Sequence, residues 1–221
     1  MSFQGQFTAG FSSPIVGTQG DIQAVFDVLF CAWARLKIDL TTISSRKWED
    51  SITLRFYRAI IGEKTSRKKL GYQFSFDFTL FPKVFDEVQD FDDLPDFGIP
   101  DIQITYRSDE ADRYILEAKL LNKSDEYLHV DYVAKGMMRF IMGKYGSNVH
   151  WGGMMGYVLD RNTNKAKELV MTRIESERPV LGMPPQETLK ISSLRDDVYE
   201  TSHTRHTNTP FTIYHIFLPV N

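Results

Sequence analysis

The sequence predicts a single-domain α/β fold, and three patterns carry that expectation. Apolar residues recur at helical spacing over 21–40 and again over 46–61. Side chains alternate strictly between apolar and polar over 72–80, the signature of a half-buried strand. Apolar runs at 151–160 and 211–218 read as strands inside a sheet.

The elements follow in order. A polar lead ends at Gly17-Thr18-Gln19-Gly20, and Asp21 opens a first helix whose Ile22, Val25, Phe26, Leu29, Trp33, Leu36 and Leu40 form a core stripe. Residues 41–45 break it, and Ser45 is placed to N-cap a second helix over 46–61, with Trp48, Ile52, Phe56 and Ile60 buried and Glu49 bordering that stripe. A basic cluster of Lys64, Arg67, Lys68 and Lys69 follows it. In the strand over 72–80, Tyr72, Phe74, Phe76, Phe78 and Leu80 share one face, which suits packing better than base stacking. The β-rich runs 102–106 and 113–116 flank a polar stretch and predict a hairpin centred on residue 110.

Beyond the hairpin, Val130, Val133, Ala134, Met137 and Ile141 describe a third helix, with Asp131, Lys135 and Arg139 on another face. Gly136 and Gly143 flank Arg139 and invite a close-approach explanation, because an interior glycine costs about 1 kcal/mol relative to alanine. The glycine-led strand over 151–160 then gives way to a turn and a helix over 165–175. Pro179, Gly182, Pro184 and Pro185 mark an irregular connection before the C-terminal strand.

The hairpin carries the chemistry. Folding about residue 110 sets Asp101 opposite 117–119, where Glu117 and Lys119 share a face and Ala118 turns into packing. Two carboxylates and an amine then converge. A phosphodiester is anionic, and its hydrolysis needs a divalent cation to neutralise developing charge and to make hydroxide from water. Hard carboxylate oxygens suit Mg2+, with Mn2+ as a substitute. Lys119 can position or help deprotonate the attacking water, its pKa lowered by burial and nearby cations. The competing reading makes Asp101 a strand-start residue and Glu117 and Lys119 an exposed charged face.

Pro100-Asp101 with Glu117-Ala118-Lys119 resembles the signature of the PD-(D/E)XK nuclease superfamily. The resemblance implies a restriction-endonuclease-like mixed central sheet flanked by helices, with a catalytic core at about 45–160 and the strand over 211–218 completing the sheet. It also implies a further acidic metal ligand on an upstream helix, a place that Glu49 fits. The helix after the catalytic lysine would contribute a polar group, Lys135 or Arg139. Asp101, Glu117 and Glu49 are then the expected ligands of Mg2+ or Mn2+, and Lys119 completes the catalytic set.

Composition bounds the partners. With 42% hydrophobic residues and no run of about 18 uncharged apolar ones, the chain suits one core and no membrane span. The start, Met1-Ser2-Phe3-Gln4-Gly5, has no basic or apolar signal region, which points to the cytoplasm. The single Cys31 excludes an intrachain disulfide and reads as core. The net charge of −3 is unusual for a DNA-binding domain. Lys68 and Lys69 can hold backbone phosphates or serve as a solvated helix end. Asp86, Glu87, Asp90, Asp92, Asp93 and Asp96 would repel phosphates, as a solvated loop or a self-inhibitory segment. Arg205 and His203 are candidate phosphate contacts beside the site. A histidine metal site in this region is disfavoured, because no carboxylate spacing matches it.

The functional expectation is a metal-dependent endonuclease acting on DNA. By resemblance it would serve in bacterial anti-phage defence or restriction, as a homo-oligomer or with a companion sensor or ATPase protein. The alternatives are an RNA or tRNA endonuclease, and a non-catalytic assembly or nucleic-acid-binding subunit of the same fold.

Overall fold

A computed structural model describes residues 19–41, 44–80, 101–106, 109–145 and 149–221. Its strands are β1 (Phe76–Leu80), β2 (Ile102–Tyr106), β3 (Asp109–Leu121), β4 (Trp151–Val158), β5 (Lys190–Ile191), β6 (Tyr199–Thr204) and β7 (Pro210–Pro219). They form one mixed sheet in the order β1-β2-β3-β4-β7-β6-β5. β1, β2 and β3 are an antiparallel meander, β3, β4 and β7 run parallel, and β6 and β5 return antiparallel. The β3 to β4 step needs a crossover because neighbouring parallel strands cannot be joined by a tight turn. Residues 126–141 supply it as a helical rod.

Helices cover both faces. α1 (Gln19–Arg35) and α2 (Trp48–Lys69) lie on one side, where Trp33 stacks on Tyr157, Phe26 meets Tyr214 edge-on, and Thr53 shares a 3.1 Å hydrogen bond with the Tyr157 hydroxyl. The other side carries α3 (Glu126–Asp131), a π-helical segment (Tyr132–Met137), α4 (Met138–Ile141) and α5 (Thr163–Ser176), the last N-capped by Asn162. Tyr132 stacks there on His215 and Phe217. Being covered twice, β4 is buried at every residue and reads as a continuous apolar run. Among the described residues, no helix is long and apolar enough to cross a membrane.

Local deviations from expectation have physical causes. α1 stops at Arg35 because the chain leaves the helix to bury Ile38, whose N–H reaches the Asn221 carbonyl, so Leu36 and Leu40 fall off the helical stripe. Ser45 begins a short 3-10 turn instead of capping α2, and neither Ser44 nor Lys47 caps with its side chain. α2 runs to Lys69, so the basic cluster lies within its last turns. Gly71, at φ +90°, closes that end, which turns Tyr72 out to solvent and leaves β1 to begin at Phe76. The π-helical segment changes the phase of the rod, turning Ala134 outward and Tyr132 and Gly136 inward. Cys31 is half-buried and accepts a hydrogen bond from Arg67 Nη2 at 3.0 Å. β6 has no counterpart in the apolar patterning. The acidic run and Pro100 lie outside the described residues.

Candidate active site

The site grows from an unfinished strand edge. Pairing of β2 with β3 stops at Ile102↔Leu116, while β3 continues beside β4 to Leu121. Among the described residues, backbone groups of Ala118 and Leu120 therefore face a side without strand pairing, and side chains take over. Asp101, one step before β2, accepts the Ala118 N–H at 2.5 Å, and Glu49 of α2 accepts the Leu120 N–H at 3.1 Å. Two carboxylates are thus fixed by the demand that backbone donors find partners. Lys119 Nζ lies 2.7 Å from Glu49 Oε1 and 3.1 Å from Glu117 Oε1, and donates to the Ala118 carbonyl at 2.6 Å.

Glu117 is wholly buried, and Asp101 is 5% and Lys119 9% exposed. Burial, then the charge of Glu117, pushes Asp101 well above the usual carboxylate range. Burial also raises Glu117, more than Lys119, the Tyr145 hydroxyl and Arg139 lower it. For Lys119, burial pulls downward, yet Asp101, Glu49 and Glu117 together lift it above its ordinary value. The expected lowering of the lysine pKa is thereby corrected: three carboxylates outweigh desolvation and keep the ammonium charged. The charge on this edge, with Glu117 and Lys119 buried rather than displayed, differs from a solvated face.

No known protein family, curated protein or solved structure matches this chain. The site therefore stands on its own geometry. Asp101, Glu117, Lys119 and Glu49 come together from α2 and both arms of the hairpin. Arg139 joins them, donating from Nη1 to Glu117 Oε1 at 2.6 Å and to the Tyr145 hydroxyl at 2.8 Å. Gly136 lets the rod approach, because a Cβ there would come within 2.4 Å of Met154 Cε and 3.6 Å of Lys119 Cγ.

The other candidates lie elsewhere. Lys135 is exposed and pairs with Asp131 at 2.7 Å, one helical turn away. Lys68 and Lys69 are exposed at the far end of α2, twenty residues of helix or about 30 Å beyond Glu49. Their cluster mates turn inward, Lys64 to Asp77 and the Phe76 carbonyl, Arg67 to Glu63. Arg205 is buried over the Phe211 ring and donates to the Val149 carbonyl at 3.2 Å; burial draws its pKa down to about 10. His203 is 3% exposed and bonded to the Leu181 carbonyl and Thr201. Neither offers solvent-facing surface to a phosphate.

Tyr145 is the residue that sequence reasoning missed. It donates to Glu117 Oε2 at 2.5 Å from the turn after α4. A turn residue belongs to no hydrophobic period, so only its chemistry could have flagged it. Among the described residues, no group of three His, Cys, Asp or Glu side chains is arranged to hold a metal ion, and the Lys119 ammonium sits between Glu49 and Glu117.

Proposed function

We propose that this protein is a metal-dependent nuclease of the PD-(D/E)XK type with a restriction-endonuclease-like fold, hydrolysing phosphodiester bonds of DNA. The observation that carries the reading is the convergence of Asp101, Glu117 and Glu49 around Lys119 where β3 runs on past its pairing with β2. The antiparallel meander followed by a helical crossover to a parallel strand supports it, because that topology makes the edge.

The three carboxylates offer the hard oxygen donors that suit Mg2+ or Mn2+. Two of its three carboxylates are buried and pushed upward in pKa by burial, and Asp101 further by its neighbour's charge, so the site gains from added positive charge. Asp101, Glu117 and Glu49 would hold Mg2+ or Mn2+. When bound, the ion polarises the phosphoryl oxygens and acidifies water. Lys119, held charged by its contacts with Glu49, Glu117 and the Ala118 carbonyl, supplies a fixed positive charge that offsets the negative charge growing on the phosphate oxygens.

The net charge of −3 opposes unaided approach of a polyanion. A companion protein or self-assembly that supplies the missing cationic surface fits this charge, as does service as a cytoplasmic defence or restriction effector.

The test incubates purified protein with plasmid, linear duplex, single-stranded DNA and RNA, in Mg2+, Mn2+ or chelator, and compares wild type with Lys119→Ala. Metal-dependent DNA cleavage lost in the variant is the expected result. Cleavage confined to RNA would move the substrate and keep the chemistry. Equal cleavage by Lys119→Ala, or none by wild type even with a candidate partner, would end the catalytic reading and leave a binding subunit.

A further inference from the structure

We infer that Tyr145 is a positioning residue for Glu117, its phenol fixing which carboxylate oxygen faces the metal site. The inference builds on the nuclease reading above. Arg139 Nη1, Tyr145 Oη and the Glu117 carboxylate close a ring of hydrogen bonds at 2.8, 2.5 and 2.6 Å. Glu117 Oε1 accepts from Arg139 and lies 3.1 Å from the Lys119 ammonium, so two cationic groups engage it. Oε2 receives the Tyr145 hydroxyl and keeps one lone pair, so it is the oxygen able to bind a cation. Without the phenol, the carboxylate could rotate and exchange the two roles.

The surrounding structure holds the ring of Tyr145 independently of its hydroxyl. Gly143, at φ +71°, turns the chain out of α4, and Lys144 N–H bonds back to the Arg139 carbonyl. The Tyr145 ring then meets Phe140 edge-on at 5.2 Å. Tyr145→Phe therefore deletes the donor to Glu117 and the acceptor for Arg139 Nη1 and preserves the packing. The same ring commits Arg139 Nη1 to Glu117 and Tyr145.

The decisive experiment measures Mn2+ binding by calorimetry without nucleic acid, steady-state cleavage and thermal melting for wild type, Tyr145→Phe, Glu117→Gln and the double variant. Groups that orient metal ligands typically cost about 10- to 100-fold in metal affinity or activity when lost. Tyr145→Phe is expected to lower Mn2+ affinity and kcat by about that factor, with KM for DNA unchanged, and to add no further loss in the Glu117→Gln background. Wild-type Mn2+ affinity and kcat in Tyr145→Phe, or a change in melting alone, would overturn the positioning role while leaving the nuclease reading intact. Wild-type protein that binds no Mn2+ and cuts nothing would overturn both.

Discussion

Two buried polar clusters share one face of the sheet and behave oppositely. Glu117, Met154 and His215 lie in one row across β3, β4 and β7, so the two clusters are about 10 Å apart at two strand spacings. Around His215 the groups form a closed chain. His203 donates from Nδ1 to the Leu181 carbonyl, which leaves its Nε2 to accept from Thr201; the Thr201 oxygen accepts from His215 Nε2, and Tyr132 donates to His215 Nδ1. Every member is satisfied while neutral, and burial draws His203 to about 4 and His215 to about 3. Around Lys119 the carboxylates outnumber their counter-charges, and burial raises the proton affinity of Asp101 and Glu117. Buried polarity is structural where donors and acceptors balance, and it points to chemistry where they do not.

The largest effect that tests this contrast is on the charged side. Lys119→Met removes the ammonium shared by Glu49 and Glu117 and leaves the buried Glu117 with Arg139 as its one remaining cation among the described residues. Breaking such a pair costs about 3–5 kcal/mol near neutral pH, and cleavage should fall by about 100- to 10,000-fold. Thr201→Val interrupts the neutral chain and should cost about 1–3 kcal/mol with cleavage unchanged. Denaturant unfolding and a cleavage assay on both variants check it. Comparable stability losses, or a cleavage defect in Thr201→Val, would erase the distinction.

The second test uses pH, where the clusters should have opposite signs. His203 and His215 titrate lower in the fold than in the unfolded chain, so their stabilisation is complete above about pH 6.5 and is lost as pH falls through that value toward 4. For His203 the loss by pH 4 is about 3 kcal/mol. Asp101 titrates higher in the fold, so its contribution is present at low pH and lost as pH rises. Asp101→Asn, which retains an acceptor for the Ala118 N–H, should abolish cleavage yet raise the melting temperature at pH 7 by about 2–4 °C, a gain that shrinks on acidification. His203→Gln should flatten the slope between pH 6.5 and 4. A parallel pH dependence in both variants would contradict the assignment of charge states.

Much of this arrangement was legible because it follows periods. The period-two pattern of the hairpin arms makes Asp101 the neighbour of 117–119, and the helical stripe of α2 leaves Glu49 at its margin. What escaped follows no period. Tyr145 sits in a turn. Ala134 was placed inward because a regular helix was assumed where the rod is π-helical. β6 carries Thr201 and His203 toward the interior, polar residues that a hydrophobic alternation cannot reveal, and their burial is explained by the hydrogen-bonded chain. Lys64 looked like one of a solvated basic cluster, yet its stem and ammonium are buried against Asp77 and the rings of Phe74, Phe76 and Phe78. Charge alone does not tell a surface lysine from a buried one.

The smallest expected effect concerns the other half of that cluster. Lys68 and Lys69 are exposed about 30 Å from Glu49 along α2, a span of about nine base pairs at 3.4 Å each. A duplex seated at the active site could reach them only if it extended that far along the helix. Replacing both with alanine should leave kcat unchanged and leave the affinity for a duplex of about eight base pairs unchanged. On a duplex of about 30 base pairs, two lost phosphate contacts should lower the slope of log affinity against log salt by about 1.8. Fluorescence anisotropy across a salt series on both lengths gives the answer. An equal slope for wild type and variant on the long duplex would make the pair a solvated helix end that complements the α2 dipole. A defect already present on the short duplex would mean that DNA lies across α2 rather than along it.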